Sequence, residues 1–274
     1  MHRIFLVLSL FLCSTAAFAQ RDLWEAPFPA HTIAGNLHYI GTADLACFLI
    51  TTPQGHILIN TGLASSFNPM RESARKLGFK LEDVKILLVS QAHFDHTEAL
   101  AAIQKISGAK MFATEPDAPI LNDGGKTDPS FKNGNRFPAI QVDRVLKDGE
   151  KIRLGGTELT VILTPGHSKG SVSYSMTVND KGTQRNVLMA NMGSVVLPLV
   201  NNAHYPNIVE DFEHTFRVQK ALRPDIWLAT HGSQYGLDAK YKAGSFVDPE
   251  GYRKAVEHYE QLFRKQLGKE RGGR

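Results

Sequence analysis

Residues 91–96, Gln91-Ala92-His93-Phe94-Asp95-His96, put two imidazoles, a carboxylate and an amide within six positions. Imidazole nitrogen and carboxylate oxygen are the donors that a borderline-soft divalent ion such as zinc accepts. The segment follows the apolar run at 85–90 and precedes a helical pattern, so it reads as a strand-to-helix loop in which close neighbours can turn toward one point. Gln91 is the odd member, because a primary amide is neutral and binds metal more weakly than imidazole. Chemistry alone leaves it open between ligand and bystander.

Two more histidines stand in similar places. His167 follows an apolar strand in Thr164-Pro165-Gly166-His167, and His231 follows Ile226-Trp227-Leu228-Ala229. Strand ends on one sheet edge converge, so Gln91, His93, Asp95, His96, His167 and His231 can line one cleft. Six ligands exceed what one zinc takes, and they divide into two clusters of three, each leaving a position for water. Asp95 read as a helix cap is the competing account, but a carboxylate between two imidazoles is more economically a ligand. His31, His38, His56, His204, His214 and His258 lack such settings and are expected to be packed or solvated.

The elements that must position these residues follow from periodicity. Strands are predicted at 37–40, 46–50, 56–59, 85–90, 151–154, 157–163, 171–178, 186–190 and 225–229. Helices are predicted at 67–77, at 98–106 with Thr97 as cap, at 208–222 and at 249–267, and a surface loop at 122–137. Strands interleaved with helices in each half suggest an α/β chain with two sheets at the core and helices on both outer faces. Arg3, an apolar stretch and Ala17-Phe18-Ala19 read as a cleavable export signal over residues 1–19, leaving one large domain at 20–274. The apolar stretch is too short for stable membrane insertion. Cys47 alone would survive cleavage, which excludes an intramolecular disulfide, and its apolar surroundings make it a buried hydrophobe. The formal charge of +4 becomes about +3 once Arg3 is removed, a balance that does not argue for nucleic acid.

The string His-x-His-x-Asp-His, present here with Gln91 in first place, resembles the signature of the metallo-β-lactamase fold. Gly62 after Ile57-Leu58-Ile59-Asn60-Thr61, then Thr164-Pro165-Gly166-His167 and Ala229-Thr230-His231-Gly232, match the family in order over residues 37–237. Tyr205-Pro206-Asn207-Ile208, Asp211-Phe212 and Ser233-Gln234-Tyr235 resemble the third subclass of class B β-lactamases. Gln91 together with Ala190-Asn191-Met192 is similar to its GOB-type branch. The resemblance implies a four-layer αββα sandwich. It also implies a first zinc site of Gln91, His93 and His167 and a second of Asp95, His96 and His231. Asn60 departs from the fold's usual aspartate, and we expect its amide to pair with Gln91, which lacks the second N–H that an imidazole ligand offers a carboxylate.

The resemblance further implies one or two zinc ions and hydrolysis of the β-lactam amide by zinc-activated water, which confers antibiotic resistance. Asp95 would orient metal and water, and Ser194, with Met192 nearby, would bind the substrate. With a neutral amide in the first site, the second should bind zinc more tightly. The expected product of the chain is a periplasmic monomer that takes a small-molecule β-lactam. A thioesterase, lactonase or phosphodiesterase on the same fold is the alternative. Those relatives usually carry an aspartate bridging the two metals, where this chain has Asn191-Met192-Gly193. A metal-poor protein with lapsed catalysis is the third reading, opposed by five intact ligands.

Overall fold

Alternate residues of three central strands face opposite cores, which makes a two-sided sheet the organising element. The structure, a computed structural model, describes residues 22–130 and 135–272. In β3 (Phe48–Thr52), β4 (Gly55–Ile59) and β5 (Val84–Leu88), the side chains of Phe48, Ile50, Ile57, Ile59, Ile86 and Leu88 join one apolar cluster. Leu49, Leu58 and Leu87, one step out of phase, join another. A strand buried on both faces needs a layer on each side. On one side lie α1 (Phe67–Lys76), α3 (Leu100–Ser107) and α4 (Asp117–Asp123), contributing Met70, Ala74, Leu100, Ile103 and Leu121. The other side is the second sheet.

The first sheet runs in chain order, β1 (His31–Ala34), β2 (Leu37–Tyr39), β3, β4, β5, β6 (Lys110–Thr114) and β7 (Arg144–Leu146). Its first four strands are antiparallel, and β4 to β7 are parallel. The second sheet has the order β12 (Ile226–Ala229), β11 (Thr183–Ala190), β10 (Val172–Asp180), β9 (Thr157–Leu163), β8 (Lys151–Leu154). Within it β11 and β12 are parallel and the remaining pairs antiparallel, so β9, β11 and β12 all end at one edge. Its outer face is covered by α5 (Ile208–Ala221) and α8 (Pro249–Gly272), where Phe212 stacks on Phe263 and Tyr252 meets Trp227 of β12. The result is the expected helix–sheet–sheet–helix order.

Hydrogen bonds to backbone carbonyls join the two sheets at the edge where these strands end. Val172 N–H donates to the Ser90 carbonyl at 2.9 Å, Tyr174 Oη to the Val89 carbonyl at 2.9 Å, and Ala46 N–H to the Thr230 carbonyl at 3.1 Å. The short helix α2 (Phe94–Thr97) starts from that edge, and α6 (Gly232–Tyr235) and α7 (Leu237–Ala243) follow β12.

Several elements differ from expectation. The strands β1, β6 and β7 and helix α4 were not anticipated, because each is short and its alternation spans too few residues to stand out. Thr97 does not cap the next helix. It lies inside α2 and its hydroxyl donates to the His93 carbonyl at 2.9 Å, while Ala99 takes the cap position of α3. The β10–β11 hairpin continues past its apolar residues to Asp180 paired with Thr183, since the backbone ladder persists where polar side chains project into solvent. Cys47 is fully buried in the second apolar cluster. The expected export signal at 1–19 lies outside the described residues. No helix among the described residues is long and apolar enough to cross a membrane.

Candidate metal centre

All six expected ligands hang from strand ends at the shared edge. Gln91, His93, Asp95 and His96 follow β5, His167 follows β9, and His231 follows β12. Gly166 and Gly193 permit the close packing of the His167 loop: a β-carbon on Gly166 would lie 2.7 Å from the Phe212 ring, and one on Gly193 would lie 2.8 Å from His167 Cβ. The loop is therefore tied to α5 through glycines.

Asp95, His96 and His231 come together, with one donor atom from each within 4.8 Å of the others. Asp95 Oδ2 lies 3.4 Å from His96 Nε2 and 3.4 Å from His231 Nε2. A second group forms beside it, where His93 Nδ1 lies 3.1 Å from His167 Nε2 and 3.4 Å from Gln91 Nε2. Two nitrogen ligands on one tetrahedral zinc, with bonds of about 2.0–2.1 Å, stand roughly 3.3 Å apart. Asp95 has that spacing from each of its two histidines, and His93 and His167 have it from each other. His96 is wholly buried and, among the described residues, neither of its ring nitrogens has a hydrogen-bond partner, an arrangement that is costly unless an ion supplies the missing contact. The donor set and its geometry therefore fit zinc.

Outer hydrogen bonds fix which nitrogen faces inward. His167 Nδ1 donates to the Ser194 carbonyl at 2.7 Å, which leaves the Nε2 lone pair for the site. His231 Nδ1 donates to Asp44 Oδ2 at 3.0 Å, and Asp44 is itself held by Trp24 Nε1 at 3.1 Å and Ser233 N–H at 2.8 Å. Asp44 was missed in the sequence. Its signal was a lone acid just ahead of the apolar run at 45–50, too weak to separate from a surface turn.

Electrostatics divides the two groups. Burial pushes His93 well below the ordinary imidazole range, lowers His96 to about 4 and lowers His167. Burial acts on His231 in the same direction, but its bonds to Asp44 and Asp95 outweigh it and carry the ring up to about 9. Burial opposes the charge on Asp95, yet His96 and His231 hold its carboxyl well below the usual range. Asp44 is likewise held down to about 2 by His231 and Ser233 against the effect of burial. His231 thus lies between two carboxylates that favour its protonated form.

The expected partner of Gln91 needs correction. Asn60, at the end of β4 with φ 61°, accepts from Ser90 N–H at 2.9 Å and Ser90 Oγ at 3.1 Å. Its reach ends one residue short of Gln91. The Gln91 oxygen instead accepts from Asn191 Nδ2 at 2.6 Å, at the end of β11. Met192 is 1% exposed and packs in the main core, whereas Ser194 is exposed and uses its carbonyl on His167. Asp128, half-hidden from the sequence in the glycine-rich loop, brings Oδ2 to 4.0 Å from His93 Nε2.

Fold, edge and ligand order define one class. The family model for the metallo-beta-lactamase superfamily matches residues 45–180. The metallo-beta-lactamase GOB-18 from Elizabethkingia meningoseptica superposes with a TM-score of 0.87 at 40% identity, over 90% of this chain and 95% of that one. The class B3 di-zinc metallo-beta-lactamase LRA-12 from an Alaskan soil metagenome does so with a TM-score of 0.86 at 43% identity, over 89% and 96%. The chain belongs to the metallo-β-lactamase superfamily. Its structural neighbours at this level of identity are class B3 metallo-β-lactamases. Among curated relatives, a probable metallo-hydrolase of Methanocaldococcus jannaschii is 28% identical over 43% of this chain and 56% of its own length. A hydroxyacylglutathione hydrolase of Rhodospirillum rubrum is 27% identical over 39% and 33%. The chain spans about half the length, or less, of the curated relatives it matches.

Proposed function

We propose that this chain hydrolyses the amide bond of β-lactams in a zinc-dependent reaction. The observation that carries the reading is the pair of ligand groups, spaced for zinc and meeting at one sheet edge, in a chain alike over nine-tenths of its length to class B3 enzymes. Asp95, His96 and His231 would hold one ion, and His93 and His167 another, with Gln91 at the third corner. Zinc bound there supplies Lewis acidity, which lowers the pKa of water toward neutrality and polarises a carbonyl.

The chain's own residues do the rest. Asp95, set between His96 and His231, would hold the ion and orient the attacking water. Asp44 keeps the His231 ring in one tautomer and one orientation, and the Ser194 carbonyl does the same for His167. In the reaction the lactam C–N bond breaks, the water oxygen ends in a carboxylate, one of the water's protons ends on the nitrogen and the other is released to solvent. The exposed Ser194 hydroxyl is assigned to the substrate carboxylate, above a floor packed on Met192. In this reading the chain is exported through the leader at 1–19, works as a periplasmic monomer and protects its cell from β-lactams.

The thioesterase or lactonase alternative is disfavoured where a bridging aspartate was expected. Asn191 stands there, 2% exposed, with its amide nitrogen committed to Ser90 and Gln91. The test is hydrolysis of a penicillin, a carbapenem, an acyl-homoserine lactone and a glutathione thioester, with zinc content measured alongside. β-Lactam turnover that a chelator abolishes and zinc restores is expected. Faster turnover of the lactone or thioester would contradict the proposal.

A further inference from the structure

Asn191 is anchored at four points around the third corner of the first site. Its backbone N–H donates to Ser173 Oγ at 2.9 Å and its carbonyl accepts from Gln219 Nε2 at 2.9 Å. Its side-chain nitrogen donates to the Ser90 carbonyl at 2.9 Å and to Gln91 Oε1 at 2.6 Å. A backbone carbonyl only accepts, so the Asn191 atom facing Ser90 must be nitrogen. The second hydrogen of that nitrogen meets Gln91, so the Gln91 atom there must be oxygen.

That assignment leaves Gln91 Nε2, not its oxygen, facing His93 Nδ1 at 3.4 Å. An amide nitrogen keeps its lone pair in conjugation with the carbonyl and makes a poor zinc ligand. Zinc entering this corner meets two imidazole lone pairs and an N–H. Turning the Gln91 amide over would give up its bond to Asn191 and set N–H against N–H. Asn191 cannot turn to follow, because its own oxygen would then oppose the Ser90 carbonyl.

We propose that Asn191 is a positioning residue that holds the Gln91 oxygen off the first metal site and so weakens zinc binding there. The inference rests on the two-site reading above and adds the residue that makes the sites unequal. It also explains why an amide, not a carboxylate, stands at this strand end: only a donor can hold Ser90 and the Gln91 oxygen together.

The test is a double-mutant cycle read as zinc affinity by competition with a chelating dye, using the wild type, Asn191→Leu, Gln91→Ala and the double variant. Asn191→Leu frees the Gln91 oxygen and should tighten the first site by about tenfold, the worth of one neutral hydrogen bond. The gain should vanish in the double variant. Gln91→Ala alone should weaken the first site by no more than about threefold, since its oxygen is already engaged elsewhere. Second-site affinity should stay constant throughout. Weakening of the first site by Asn191→Leu, or a loss of tenfold or more on Gln91→Ala alone, would overturn the proposal. If Asn191→Leu does not fold, Gln91→Ala decides the matter by itself. Failure of the functional reading would look different: wild type with zinc in both sites and no β-lactam turnover, while the affinity cycle holds.

Discussion

The two halves of the candidate metal centre share one sheet edge and differ in what stands behind the proposed ligands. The aspartate half sets His231 between Asp44 and Asp95, so negative charge converges on the place an ion would take. The glutamine half offers His93 and His167 with an amide whose oxygen is engaged by Asn191, and a backbone carbonyl behind His167. Two carboxylates bracket His231 in the aspartate half, whereas the glutamine half has Asp128, whose Oδ2 stands 4.0 Å from His93 Nε2. The comparison teaches that a site is made strong or weak as much by the residues behind its ligands as by the ligands. A reading confined to ligand types sees the glutamine and misses Asp44 and Asn191.

The comparison breaks most visibly at Asp95. Asp95→Ala should remove the tight zinc step and lower hydrolysis by well over about 100-fold, more than an outer partner costs. A mild loss of activity would show that the aspartate half is not the working one. Asp44→Ala should be next, weakening second-site zinc by about 10–100-fold and leaving the first site alone. Equal effects on both sites, read by chelator competition, would erase the distinction drawn here.

Acidity sharpens the same contrast. His231 is protonated up to about pH 9, and zinc must displace that proton, so binding at the aspartate half releases it. Apparent affinity there should rise by about tenfold per pH unit between roughly 6 and 9 and level off above. At the glutamine half, burial already holds His93 and His167 neutral, and affinity should be flat over the same range. Calorimetry in buffers of different ionisation heat reads the proton count directly. Equal pH slopes at the two steps would contradict the assignment.

A smaller effect lies under the loops that carry the glutamine half. Asp117 is 1% exposed, faces Gly170 and the Ala92 N–H, and burial raises its carboxyl to about 7. The folded protein therefore holds this proton more tightly than the unfolded chain, and the stability it contributes is lost as pH rises from about 4 through 7. Asp117→Asn should unfold at higher denaturant concentration than wild type at pH 8, by on the order of a few kcal/mol, and about equally at pH 4. The opposite ordering at pH 8 would show that the charged carboxylate is wanted.

What the sequence made legible were features with local spacing. The run from Gln91 to His96, the glycine-flanked His167 and His231, and the long apolar strands announce themselves within a few residues. Short strands such as Lys110–Thr114 do not, because their hydrogen bonds are made with distant neighbours. Asp44 reaches His231 from 187 positions away, and Asn191 reaches Gln91 across 100. Partners that far apart leave no spacing to read. Asn60 was expected beside Gln91 because an amide ligand lacks the second N–H that a carboxylate would accept, but the left-handed turn at Asn60 directs it to Ser90 instead.

The most direct test of the account is stepwise zinc titration of the metal-free wild type against a chelating dye. Two steps at least about tenfold apart are expected, the tighter one lost in Asp95→Ala and the weaker one lost in His93→Ala. Two ions bound with equal, high affinity would contradict it.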